Sequence, residues 1–204
     1  MSSWNSARNK WDNLLNEKML ELNDVLLDGE LHTLSLMAEE GLVTCLTGGS
    51  SARRTRWLHA VLGFVPLKGG YICIDGEPLS DSSVETFRKQ MAYAPSRLIA
   101  MGEVKTYDAP SVQDIFNLQA NREQPISNGI LAEEIRKIAP VMPTDGRAQL
   151  LAVAVLLNKH ILLADNPLPS AADYLRNYAQ QGHIVIVASD ADEFRNIANV
   201  VIEI

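Results

Sequence analysis

A chain of 204 residues with 47% hydrophobic and 21% charged residues can bury one sizeable core, and one compact domain is expected. A formal charge of -7 argues against a general nucleic-acid binder, which carries a basic footprint over the whole domain. No apolar run approaches the roughly 18 residues of a membrane span, and the start MSSWNSARNKW lacks the apolar stretch of a secretory signal. Cys45 and Cys73 fall in apolar, strand-like runs, which assigns them to packing in a reducing cytosol. The four histidines are scattered without metal-ligand spacing, so no metal site is expected.

In chain order, residues 3–18 place Trp4, Ala7, Trp11, Leu14 and Leu15 at helical spacing, which predicts an amphipathic helix over residues 1–18. Its polar face mixes both charges, which favours packing on its own domain or a partner subunit over a membrane surface. From residue 19 the pattern changes to strands in MLELNDVLL, LHTLSLMA and LVTCLTG, punctuated by Gly29 and Gly41. After the loop TGGSSARR, Trp57, Leu58, Val61 and Leu62 form a helical stripe that stops at Gly63. GGYICIDG is a further strand. Residues 97–141 are polar and broken by Pro110, Pro125 and Pro140, with helical patches at SVQDIFNLQ and ILAEEIRKIA. A helix at AQLLAVAVLLN leads into the apolar strand HILLAD, and a final strand pair, HIVIVAS and NVVIEI, surrounds a helix at ADEFRNIAN. Continuous apolar strands separated by helices predict an α/β fold with a mixed, mostly parallel sheet buried on both faces.

The loop holds the chemistry. A phosphate loop of the form G-x-x-x-x-G-K-[ST] uses glycines to curl backbone N–H groups around phosphates at a helix N-terminus, with a lysine and a hydroxyl for the terminal phosphates and Mg²⁺. In Gly48, Gly49, Ser50, Ser51, Ala52, Arg53, Arg54 and Thr55 the first glycine and the final hydroxyl are in place. Arg53 replaces the second glycine, putting a Cβ where the backbone must approach closely. Arg54 replaces the lysine with a broad planar fork. Together with Arg56 these cations sit on the first turn of a helix against its macrodipole, each costing roughly 0.3–1 kcal/mol unless offset. An anion is therefore expected nearby, either a bound phosphate or one of the protein's own carboxylates.

In order and spacing, the segments from Met19 to Ile204 resemble the nucleotide-binding subunit of ATP-binding-cassette (ABC) transporters. The resemblance is carried by MLELNDVLL, LSLMAEEGLVTCLTG, WLHAVLGFVPLKGGYICIDGEPLS, FRKQMAYAPS, AQLLAVAVLLNKHILLADNP and HIVIVASDADEFRNIANVVIEI. It implies a P-loop NTPase-like ABC ATPase fold over residues 19–204, with an antiparallel β subdomain and a shortened helical subdomain over residues 97–141. It also implies ATP and Mg as ligands, held at the loop residues 48–55 and Asp165, though binding at low affinity at most. Ser96 stands where the family has its Q-loop glutamine, Asn166 where it has the catalytic glutamate after Asp165, and Ser189 where it has the switch histidine, with Asp190 matching the aspartate that follows. No aromatic lies near Leu27 to Gly29 to stack an adenine. Pro143-Thr144-Asp145-Gly146-Arg147 stands for the signature LSGGQ, with a carboxylate where a polyanion would lie.

The fold-bearing residues match and the ATP-using ones do not, which is the pattern of a pseudo-ATPase with no catalytic residue of its own. The expected function is a non-catalytic subunit that pairs with an active ABC ATPase subunit or a membrane permease, as a homo- or heterodimer. The expected place is the cytoplasm, peripherally at the inner membrane. A weak ATPase and a regulatory anion or nucleotide sensor are the alternatives. One geometric expectation follows from the family's shared Mg-nucleotide site: Arg54 should reach Asp165.

Overall fold

The computed structural model describes residues 19–97, 126–141 and 144–204. The expected helix over residues 1–18, most of the shortened segment 97–141 and Pro143 lie outside them. In chain order the strands are β1 (Met19–Leu27), β2 (Leu34–Glu39), β3 (Val43–Thr47), β4 (Leu67–Ile74), β5 (Glu77–Pro78), β6 (Met91–Ala94), β7 (Ile161–Asp165), β8 (Ile184–Ala188) and β9 (Val200–Glu203). The helices are α1 (Ser51–Val61), α2 (Val84–Lys89), α3 (Asn128–Ile138), α4 (Gly146–Leu156), α5 (Ala172–Ala179) and α6 (Asp192–Ile197).

The antiparallel and parallel strands separate into two sheets. One is antiparallel in the order β2-β1-β4-β5, and the other is parallel in the order β6-β7-β8-β3-β9. Every residue of β3, β7 and β8 is buried, because helices cover both faces of the parallel sheet. Alternate side chains go to opposite sides: Leu162, Ala164, Val185 and Val187 pack with α4 and α5, whereas Ile161, Leu163, Ile184 and Ile186 pack towards α1. The last two strands flank β3 in the sheet. Val43–Leu46 of β3 pair with Val185–Ala188, while Thr44–Thr47 pair with Val200–Glu203, so β3 lies between β8 and β9. A strand apolar on both faces gains most from the sheet centre, and α6 carries the chain across it.

Helix α1 lies between the two sheets. Its stripe of Trp57, Leu58 and Val61 is 2%, 0% and 2% exposed and packs with Leu20, Leu22 and Ile72 of the antiparallel sheet and with Ile161 and Ile186 of the parallel one. Full burial of a side chain such as Leu58 stabilises by roughly 1.5–3 kcal/mol. Gly63, at φ +70°, ends the helix where the sequence predicts. In the antiparallel sheet, Gly70 at φ +72° lets β4 pass the irregular turn of β1 around Asp24; a Cβ there would lie 2.3 Å from the carbonyl oxygens of Asn23 and Asp24. Both cysteines are buried and unpaired, and burial pushes their thiols up, which leaves them inert as expected. No helix among the described residues is long and apolar enough to cross a membrane.

Candidate functional site

The loop between β3 and α1 turns on two left-handed glycines. Gly48 and Gly49 take φ of +79° and +58°, and a Cβ at Gly48 would meet Ile204 O at 3.0 Å and Glu203 Cγ at 2.9 Å. Ser50 caps α1: its hydroxyl accepts from Arg53 N–H at 3.2 Å. Ser51 and Ala52 are exposed on the first turn.

The arginines find carboxylates of the chain itself. Arg53 Nε donates to the two oxygens of Glu30 at 3.0 and 2.9 Å, and its Nη2 also bonds Oε2. The Glu30 side chain is only 6% exposed, and Arg53 holds its carboxyl below the usual range against the opposing effect of burial. Arg56 donates to the backbone oxygen of Asp28, so the turn after β1 is tied to α1 at two points.

Arg54 does not reach Asp165, contrary to the sequence expectation. Its buried guanidinium donates from Nη1 to Gly48 O at 2.8 Å and Gly49 O at 3.2 Å, and ion-pairs with Asp190. The reason is competition. The loop carbonyls and Asp190 offer the fork three acceptors close to its own backbone, while the Asp165 carboxylate is served by hydroxyls. Asp165 Oδ2 accepts from Thr55 Oγ1 at 2.8 Å and from Tyr93 OH and Ser96 Oγ at 3.3 Å each. Burial, with Asp165 beside it, pushes the Tyr93 phenol well above its usual range. The Tyr93 hydroxyl also lies 3.2 Å from His59 Nε2.

Asp190 accepts from the first glycine of the loop and from the threonine before it. Its Oδ1 accepts from Gly48 N–H at 2.8 Å and from Thr47 Oγ1 at 3.1 Å. Arg195 donates to the same threonine oxygen from Nε at 3.1 Å and Nη2 at 2.7 Å. The Gly48 N–H is the main cause that holds the Asp190 carboxyl below its usual range.

The other positions of the expected site are apart from this network. Asn166 has a left-handed backbone, φ +46°, with its N–H on Ala188 O at 2.9 Å. Ser189 is buried, and its hydroxyl accepts from Ala191 N–H at 3.2 Å. Asp145 caps α4 by accepting from Arg147 N–H at 2.8 Å and also pairs with the Arg147 guanidinium at 3.3 Å, which holds its carboxyl low. Gly146 opens that helix and Thr144 precedes it, exposed.

Glu30, Thr47, Tyr93 and Arg195 escaped the sequence analysis. Uncompensated cations on α1 were the one signal for an acid, but nothing local says which acid.

The fit to ATP and Mg²⁺ divides. The loop does not fit phosphates as it stands, because its carbonyls face Arg54 and its Gly48 N–H faces Asp190. Asp165 fits a divalent cation: its Oδ1 is buried with no hydrogen-bond partner, and the Thr55 hydroxyl sits on its other oxygen.

Comparison with known proteins places this architecture. No family model matches the chain. The arabinose import ATP-binding protein AraG of Pectobacterium atrosepticum is 29% identical over 108 residues, covering 52% of this chain and 21% of that protein. An uncharacterized ABC transporter ATP-binding protein of Haemophilus influenzae is 27% identical over 171 residues, 74% of this chain and 64% of its own length. The chain thus spans less than two thirds of these curated relatives. Among solved structures, CbiO1 of Clostridium perfringens, part of the ABC transporter complex CbiONQ, superposes with a TM-score of 0.64 at 13% identity, covering 92% of this chain and 85% of that one.

Relatives and fold together define the class of ABC ATPase domains, an α/β P-loop architecture. The chain is similar in sequence to ABC transporter ATP-binding proteins and shares the fold of solved ABC transporter ATP-binding subunits.

Proposed function

We propose that this chain is a non-catalytic ABC-type subunit that pairs with an active ATPase subunit or a membrane permease and acts by shape. The observation that carries the proposal is Asn166. It stands beside the buried Asp165, where a glutamate serves as proton acceptor in the proteins the sequence resembles. An amide cannot accept that proton, and losing one general base commonly removes about 10²–10⁴ in rate. Ser96 and Tyr93 support the same reading, since their hydroxyls are spent on Asp165.

The test is steady-state ATP hydrolysis by the purified chain together with affinity capture from its native membrane fraction. Hydrolysis at background level and co-purification of a permease or a second cassette are expected. Turnover abolished by Asp165→Asn would sink the proposal in favour of a weak ATPase. That second reading draws on the unpartnered Oδ1 of Asp165, which leaves a cation-binding oxygen available.

A further inference from the structure

A carboxylate of the chain itself sits against the glycine loop. Gly48 N–H, the Thr47 hydroxyl and the Arg54 guanidinium converge on one carboxylate, with Arg195 Nη2 at 3.8 Å from it. The N–H of the first of two left-handed glycines, a hydroxyl and an arginine guanidinium make a donor set suited to an anion. The carboxylate that takes it arrives from 142 residues further along the chain.

The two halves of the contact differ in freedom. Arg54 is 5% exposed and pinned by two loop carbonyls, whereas the Asp190 side chain is 47% exposed at the turn between β8 and α6. The backbone that carries Asp190 is fixed on both sides. Ser189 is 1% exposed with its N–H on Leu46 O at 3.0 Å, and Phe194 of α6 is fully buried. The aspartate can therefore rotate out without unpacking anything, while the arginine cannot.

We propose that Asp190 is a latch on the glycine loop: its carboxylate occupies the anion position and excludes external oxyanions until it swings away. The latch rests on the reading of the chain as a degenerate cassette, and it predicts weak oxyanion binding by the wild type. An incoming polyphosphate must displace a charge already satisfied by three donors, at a site whose cation is already neutralised. The latch is separate from Asn166, which affects turnover and not entry.

The experiment uses the full chain and inorganic pyrophosphate as probe, with melting temperature and calorimetric affinity as readouts. Asp190→Ala is expected to melt below the wild type in plain buffer, to recover with millimolar pyrophosphate, and to bind it at least about tenfold more tightly than the wild type does. The double variant Asp190→Ala/Arg54→Ala is expected to lose that gain. If Asp190→Ala does not fold, Asp190→Asn, which keeps an acceptor for Gly48 N–H and removes the charge, is expected to show the same direction. Equal affinity in wild type and the Asp190 variants, or no binding to either, overturns the latch. ATP turnover by the wild type overturns the non-catalytic reading instead, so the two failures are distinct.

Discussion

Helices α1 and α4 both open with arginine in the first turn, against the positive end of a helix dipole, and both answer it with carboxylates. They recruit those carboxylates over different distances. At α4 the acid is the cap itself: Asp145 serves the N–H of Arg147 and its guanidinium, two residues away. At α1 the cap is the neutral Ser50, and the acids are Glu30, 23 residues earlier, and Asp190, 136 residues later. A local pair stabilises one helix. Distant pairs tie two other segments of the chain to one loop, so their loss is felt by the tertiary structure.

Substitutions can break this contrast. The largest effect is expected at Asp190→Ala. It strands a buried guanidinium and should cost about 2 kcal/mol in chemical denaturation, less than the 3–5 of a fully enclosed pair because Asp190 is half exposed. Glu30→Ala should follow at about 1.5 kcal/mol, since Arg53 is 37% exposed and can turn to water. Asp145→Ala should cost about 1 kcal/mol as a lost cap.

Asparagine at the same positions sharpens the comparison. Asp145→Asn should lie close to wild type in the same denaturation, because asparagine caps as well as aspartate. Asp190→Asn should remain destabilising, because its partner needs the charge.

The smallest effect is the acid limb. Glu30, Asp145 and Asp190 are all held below their ordinary values of 4.5, 3.8 and 3.8 in the folded chain. Lowered folded values add stability that is complete above the ordinary ones and lost as pH falls through the folded ones. Melting temperature should thus fall below about pH 4, and less steeply in Asp190→Asn than in wild type.

Much of the fold was legible because periodicity and burial coincide. The run MLELNDVLL coincides with β1 residue for residue, and the stripe of Trp57, Leu58, Val61 and Leu62 marks α1 and its C-terminal cap. The order of β8, β3 and β9 was not, because strand order is a non-local property that apolar runs do not encode. The site divides the same way. The first glycine and the final hydroxyl mark a degenerate phosphate loop within ten residues, and the excess of arginine announces a missing anion. The identity of that anion was not readable: an ion pair spanning 136 residues leaves no mark on local spacing, and the expectation of Asp165 assumed a ligand shared by both groups. Tyr93 was hidden for a related reason, since a tyrosine in an apolar strand looks like packing until its hydroxyl is seen beside Asp165.

Helix α1, wedged between the antiparallel and parallel sheets, has a mechanical consequence. A rod gripped along both flanks can neither recede nor tilt when something presses on its tip, so compliance at that tip is left to side chains. Rearrangement on the scale of a swinging carboxylate is then cheap, while displacement of the rod would strain two sheets at once. The tip behaves as a stiff fixture whose chemistry can be altered without altering the frame behind it.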